Sequence, residues 1–190
     1  MGLLDILVGR RKLDKPAQDR LFAMSTAYVT FETKLALTSR GSAAIVFQSL
    51  ATADFASIVR DMKEVVTATA ADSQTRVETS EDSYEFSWLI LRGDDFDSLV
   101  VGVNAVSDAL QDAGYGERIL CAVFGFNDDR SRPVYWIYNY KRGSFYPFAP
   151  RSGAQERDSE RELVLKAQVG AELPIEPELQ RWFPLWGIPV

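Results

Sequence analysis

The sequence contains no histidine. That absence removes the usual general base at neutral pH, the commonest zinc ligand and any Ser-His-Asp or Cys-His arrangement. There is one cysteine, Cys121, so no intrachain disulfide can form, which suits a reducing compartment. No uninterrupted apolar run approaches the ~18 residues of a membrane span. Positive charge is also short: 21 Lys and Arg stand against 27 Asp and Glu, a net charge of −6. Nucleic-acid binding, which favours a basic face, is therefore not expected. No phosphate loop, dinucleotide fingerprint, zinc spacing or nucleophile elbow occurs, so no cofactor and no metal ion is expected.

What remains is an ordinary globular composition over 190 residues, enough for one domain with a full core. We read residues 1–190 as a single domain. Residues 1–15 form a flexible or membrane-surface N-terminal segment, and 151–190 a helical and aromatic C-terminal extension. In the first of these, Leu3, Leu4 and Leu7 precede Arg10, Arg11 and Lys12. An apolar turn followed by cations can lie at an anionic lipid interface, or dock on the core as a terminal helix. Ile6 stands where the myristoylation pattern needs Ser or Thr. The expected location is cytoplasmic, with a peripheral position at the inner face of the cell membrane as the extension of the lipid reading.

Periodicity supplies the elements. Pro16 opens a short helix to about Met24, and alternation from Ala27 to Leu37 reads as a strand, with Ser25 as a competing helix cap. "TSRGSA" reads as a turn and Ala43–Ser49 as a second strand. "ADFASIVRDMKEVVTATA" is an amphipathic helix, capped by Asp54, with Phe55, Ile58, Val59, Met62, Val65 and Val66 on its stripe. Val77–Thr79 and Tyr84–Leu91 form a hairpin in which Phe86, Trp88 and Ile90 share a face. The stretch from Asp94 to Gly114 is the clearest helix, acidic in its first turn and ended by glycine. Arg118–Phe126 is a strand in which Cys121 has apolar neighbours, and 133–148 is a hairpin. Ser159 and Glu162 make a capping-box pattern for a last helix to about Val169. The central order, strand–helix–strand–strand–helix–strand, predicts an α+β fold. It consists of an antiparallel sheet with helices packed on one face and a ferredoxin-like βαββαβ centre carrying extra strands. A secretion-chaperone-like α+β arrangement is the alternative.

Two stretches are candidates for contact. In "NYKRGSFYPFAP", Lys141-Arg142-Gly143 fits a three-residue hairpin loop, with Gly143 in a positive-φ bulge position. Tyr140 and Tyr146 flank the cationic tip, so the tip is either a solvated turn over a packed sheet or a cation–aromatic contact for an acidic partner. In "RWFPLWG", Arg181, Trp182 and Trp186 either fold back over a sheet face or act as docking or homodimer anchors. Asp94-Asp95-Asp97 reads as helix-start chemistry and Asp128-Asp129 as an exposed turn; neither has EF-hand spacing.

The long motifs "YKRGSFYPFAP" and "LPIEPELQRWFPLWGIPV" resemble the PspA-associated protein PspAB family, a mainly actinobacterial group. So do "MGLLDILVGRRK", "LFAMSTAYVTFE", "DSYEFSWLILRG" and "LQDAGYGERILCAVFGF", and the resemblance runs along the whole chain. It implies an accessory place in a phage-shock, or envelope-stress, system whose partner is a PspA-like coiled-coil protein that coats stressed inner membranes. It implies no catalytic residues. Three functions stand: a non-enzymatic protein binding a PspA-like partner, which is preferred; a membrane-surface sensor acting through residues 1–12; and a carboxylate- or tyrosine-based enzyme or small-ligand protein.

Overall fold

The structure, a computed structural model, describes residues 20–48, 53–69, 75–82, 86–151, 153, 155–170 and 172–190, with the backbone alone at 53–55, 65, 66, 68 and 69. The expected surface segment with Leu3, Leu4, Leu7, Arg10, Arg11 and Lys12, the start of the Pro16 helix and the Asp54 cap with Phe55, Val65 and Val66 lie outside what is described.

Among the described residues, four α-helices and six strands follow one another as α1 (Ala23–Lys34), β1 (Thr38–Gln48), α2 (Ala53–Thr69), β2 (Arg76–Glu81), β3 (Phe86–Arg92), α3 (Phe96–Asp112), β4 (Ile119–Asn127), β5 (Pro133–Asn139), β6 (Ser144–Phe148) and α4 (Ser159–Val169). The strands form one antiparallel sheet in the order β2-β3-β1-β4-β5-β6. From β1 to β4 this is the split βαββαβ order of a ferredoxin-like unit, with β5 and β6 added as a hairpin beyond β4.

Residues 27–34 are helix rather than strand, and 35–37 connect that helix to β1. Met24, Ala27, Thr30 and Phe31 are all buried in α1, and their helical spacing outweighs the period-two alternation. Phe31 then stacks on Trp136 at 5.0 Å. "TSRGSA" is no free turn but the first half of β1. The strand absorbs it by breaking register against β4 between Ser39 and Ala43, where Gly41 takes φ +63 beside the Gly93 carbonyl. α3 matches its expectation: Asp95 caps it by accepting from the Ser98 N–H at 2.9 Å, and Gly114 follows at φ +82.

Both faces of the sheet are buried from β3 to β6, whereas β2 is largely exposed. On one, Ile45, Leu89, Phe124 and Trp136 meet α1 and the α3 stripe of Leu99, Val103 and Val106. On the other, Val46, Trp88, Val123, Ile137 and Phe148 meet Trp182, Trp186, Ile188 and Val190. That second layer is the C-terminal segment. It runs across the strands, so that Trp186 packs edge-on against Phe148 at 5.2 Å and the Pro189 carbonyl accepts from Arg92 of β3 at 2.9 Å.

α4 starts where the capping box places it, but through a different residue. Asp158 accepts from the Arg161 N–H at 3.2 Å, while Glu162 turns inward. Glu162 is buried, receives the Ala149 N–H at 2.9 Å and pairs with Arg157 at 2.7 Å. Burial raises its carboxyl above the ordinary value, opposed by Arg157 and the Ala149 N–H.

Candidate functional site

The tip of the β5–β6 hairpin is built by its backbone. Asn139 pairs with Ser144, so the loop is Tyr140–Gly143, four residues rather than three. The Asn139 carbonyl accepts from the N–H groups of Arg142 (3.1 Å) and Gly143 (2.8 Å), and its side-chain oxygen accepts from the Lys141 N–H at 3.1 Å. Gly143 has φ +62, which an L side chain adopts only under strain. Tyr140 points inward. It is 4 % exposed, lies edge-on to Tyr138 at 5.1 Å, and burial pushes its phenol far above the ordinary value. Lys141 and Arg142 are left on the surface.

Beneath them sits Glu176, almost fully buried. Its carboxylate accepts from Ser144 Oγ (3.2 Å), Arg142 Nε (3.2 Å) and the Glu178 N–H (3.2 Å), and Arg181 approaches it at 3.7 Å. Arg181 also pairs with Glu178 at 2.7 Å, and Arg20 donates to the Gly143 carbonyl at 3.4 Å. Arg142 and Arg181 thus reach the two carboxylates, with Arg20 and Lys141 at the same hairpin tip, a locally cationic spot on an acidic chain.

The backbone of the same glutamate anchors the aromatic segment. Its carbonyl accepts from the Trp182 indole N–H at 3.0 Å, and its N–H donates to the Phe145 carbonyl at 2.9 Å. Trp182 is 4 % exposed, stacks on Tyr146 at 6.2 Å and carries the Lys166 ammonium over its ring at 5.6 Å. Tyr146 is equally buried and donates its hydroxyl to the Phe183 carbonyl at 3.1 Å, while burial holds that phenol far above the ordinary value. Trp186 is half-buried against Phe148.

The two stretches singled out separately in the sequence therefore meet through Glu176. Of their seven candidate contact residues, Tyr140, Tyr146 and Trp182 face inward, Trp186 and Arg181 are partly covered, and Lys141 and Arg142 face solvent. Phe183 and Leu179 are 58 % and 48 % exposed beside Arg181 and Trp182. Glu176 left no signal in the sequence, because an isolated acidic residue between prolines looks solvated until the fold buries it.

The other acidic clusters are structural. Asp95 caps α3, and its hydrogen bonds from Ser98 hold its carboxyl below the ordinary range. Asp128 is not exposed: it accepts from the Arg132 N–H at 2.8 Å and pairs with Arg132 and Arg161, each at 2.8 Å. Burial alone would raise its carboxyl, but the Arg132 N–H and guanidinium together with Arg161 outweigh burial and hold it low. No group of three or more Cys, Asp or Glu that could hold a metal ion occurs among the described residues. No described helix is long and apolar enough to cross a membrane.

The family model described as PspAB, PspA associated protein B, matches residues 1–190. The chain belongs to the PspAB family. Neither a curated protein nor a solved structure matches it. The candidate site of this PspAB family member is thus a cation-rich hairpin tip joined by one buried glutamate to an aromatic segment that closes the second sheet face.

Proposed function

We propose that this chain is a non-enzymatic accessory protein of a PspA-type envelope-stress system, and that it binds a PspA-like coiled-coil protein. The observation that carries the reading is the full-length family match, since the family is named for its association with PspA. The chemistry of the chain supports it. There is no histidine to move protons near neutral pH, and the one thiol is buried, with its pKa pushed up to about 12 by burial.

The contact surface is the exposed part of the candidate site. Lys141, Arg142 and Arg181 offer cations to the acidic side chains of a partner helix, and Phe183 and Leu179 offer apolar area beside them. Tyr140, Tyr146, Trp182 and Trp186 hold that surface in shape. Arginine suits such a contact because its planar fork takes a carboxylate through two bonds. A long coiled coil presents charged e and g positions along its flanks, which is the kind of surface such a patch meets.

The test is binding of purified full-length chain to a PspA protein, measured by calorimetry. Lys141→Glu combined with Phe183→Ser alters solvent-facing atoms and spares the Glu176 network. The expected result is at least a tenfold loss of affinity, about 1.4 kcal/mol, with an unchanged circular dichroism spectrum. Unaltered affinity removes the tip from the interface, and absence of binding by the unmodified chain removes the reading itself.

A further inference from the structure

The two outer strands of the sheet are finished differently. β6 is covered: the Phe145 N–H donates to the Pro174 carbonyl at 2.8 Å, the Glu176 N–H returns to the Phe145 carbonyl, and Pro147 lies in the strand. β2 pairs with β3 and, on its outer side, with no other strand among the described residues.

The direction of its backbone groups follows from one bond. The Asp82 N–H donates to the Phe86 carbonyl at 3.0 Å. In the register Glu81↔Ser87 to Arg76↔Arg92, the even-numbered residues of β2 therefore bond to β3, and Val77, Thr79 and Glu81 direct their N–H and C=O groups outward. The side chains of these three share the helix-covered face, since Val77 and Thr79 oppose Leu91 and Leu89 of that core. There Lys63 Nζ donates to Thr79 Oγ1 at 3.1 Å. Lys63, Glu64, Thr67 and Val77 line an open groove of about 450 Å³ between α2 and β2.

We infer that β2 pairs with β2 of a second copy of this chain, about a two-fold axis perpendicular to the sheet and passing midway between the two Thr79 residues. Parity and charge restrict the register. Residues opposed across an antiparallel pair share a face, and this axis preserves faces, so only residues of equal parity can oppose one another. Centring on Glu78 sets two carboxylates directly against each other. Centring on Ser80 sets Glu78 against Asp82. Like charges so placed are destabilising.

Centring on Thr79 avoids both. It opposes Thr79 to Thr79 and Val77 to Glu81, so every outward backbone group finds a partner. It also brings Arg76 opposite Asp82, whose carboxylate accepts from the Phe86 N–H and the Trp88 indole, and it delivers each Glu81 carboxylate beside Val77 of the other copy, at the groove lined by Lys63 and Glu64. Centring on Val77 also opposes Arg76 to Glu78, but it pairs only residues 76–78 of the strand, whereas centring on Thr79 pairs 77–81; charge and paired length together favour the Thr79 register. This association uses the sheet edge opposite the cationic tip and stands independently of the partner proposed above.

Sedimentation equilibrium of the full chain across a concentration series reads the mass. The expected result is a concentration-dependent dimer. Thr79→Pro removes an N–H that faces away from β3, so the β2–β3 ladder is spared while the bonds at the axis are lost. Its dimer dissociation constant rises about thirtyfold, because both backbone bonds at the axis are lost. Thr79→Cys supplies a second readout that does not depend on how the proline is tolerated. Opposed residues of a hydrogen-bonded pair have Cα atoms about 5.5 Å apart, within the roughly 4.4–6.8 Å that a disulfide spans. Under mild oxidation Thr79→Cys forms a covalent dimer and Glu81→Cys does not, whereas a mixture of Val77→Cys and Glu81→Cys chains cross-links. A monomeric wild type at every concentration overturns the inference. So does a dimer that persists in Thr79→Pro, or a Glu81→Cys chain that cross-links more readily than Thr79→Cys.

Discussion

Truncating Trp182 to alanine tests whether the C-terminal segment is architecture. The side chain is 4 % exposed, stacked on Tyr146 at 6.2 Å and hydrogen-bonded to the Glu176 carbonyl at 3.0 Å. Removing a buried aromatic of this size costs about 3–5 kcal/mol, because transfer energy is lost and the surrounding atoms close the cavity only in part. Within that sum, the unmet Glu176 carbonyl accounts for about 1 kcal/mol. With a urea m-value of about 2 kcal/mol/M, the unfolding midpoint falls by about 2 M. Urea titration followed by far-ultraviolet circular dichroism measures it. The neighbouring Phe183→Ala is the control: the ring is 58 % exposed, and its loss changes stability by no more than about 0.5 kcal/mol. The two substitutions sit side by side in sequence, so chain position cannot produce the contrast. A Trp182→Ala chain within about 1 kcal/mol of wild type would refute the claim that this segment closes the second face of the sheet.

Asp128→Asn is expected to be less stable than wild type at neutral pH, with the difference shrinking in acid. The folded carboxyl is held low, so its contribution is complete above the unfolded value of about 3.9 and is lost as pH falls through the folded one. A stability difference that stays constant from neutral pH down to about pH 2 contradicts this. Cys121, with its thiol pushed up to about 12 by burial, is expected to react with an aromatic disulfide reagent only as fast as the chain opens. Prompt stoichiometric labelling of the native protein places that thiol at the surface instead.

The elements whose signals are local were readable in the chain. α3 carries its acidic cap, its apolar stripe and its glycine stop within one contiguous segment, and the structure places it at Phe96–Asp112. The 133–148 hairpin was legible from alternation and from Gly143, although pairing of Asn139 with Ser144 makes its loop one residue longer than expected. The alternation over 27–37 suggests a strand, yet Val29 and Thr33, which that pattern sets on the same side as Phe31, face solvent in α1. What decides in its favour is the fit of Met24, Ala27 and Phe31 into a core made by distant strands.

The candidate site divides in the same way. Lys141 and Arg142 follow from turn chemistry, because a tip between two strands leaves charge in water. Tyr140, Tyr146 and Trp182 are aromatic wherever they end up, and composition does not distinguish an anchor for a partner from an anchor for the chain's own sheet. The buried Glu176 joins Arg142, Ser144 and Trp182 across more than thirty residues of sequence separation at its longest bond.

By itself the sequence determined the α+β class, the βαββαβ order of its centre, the family and the poverty of proton-handling groups. Each of these is a property of residue type and spacing. Tertiary structure alone decided that both faces of the sheet are covered from β3 to β6, that the tryptophan segment is the second cover, and that β2 is the last strand on its side of the described sheet. The physical reason is that burial and strand order are set by which surfaces exclude water from one another, and that depends on contacts between residues far apart in the chain.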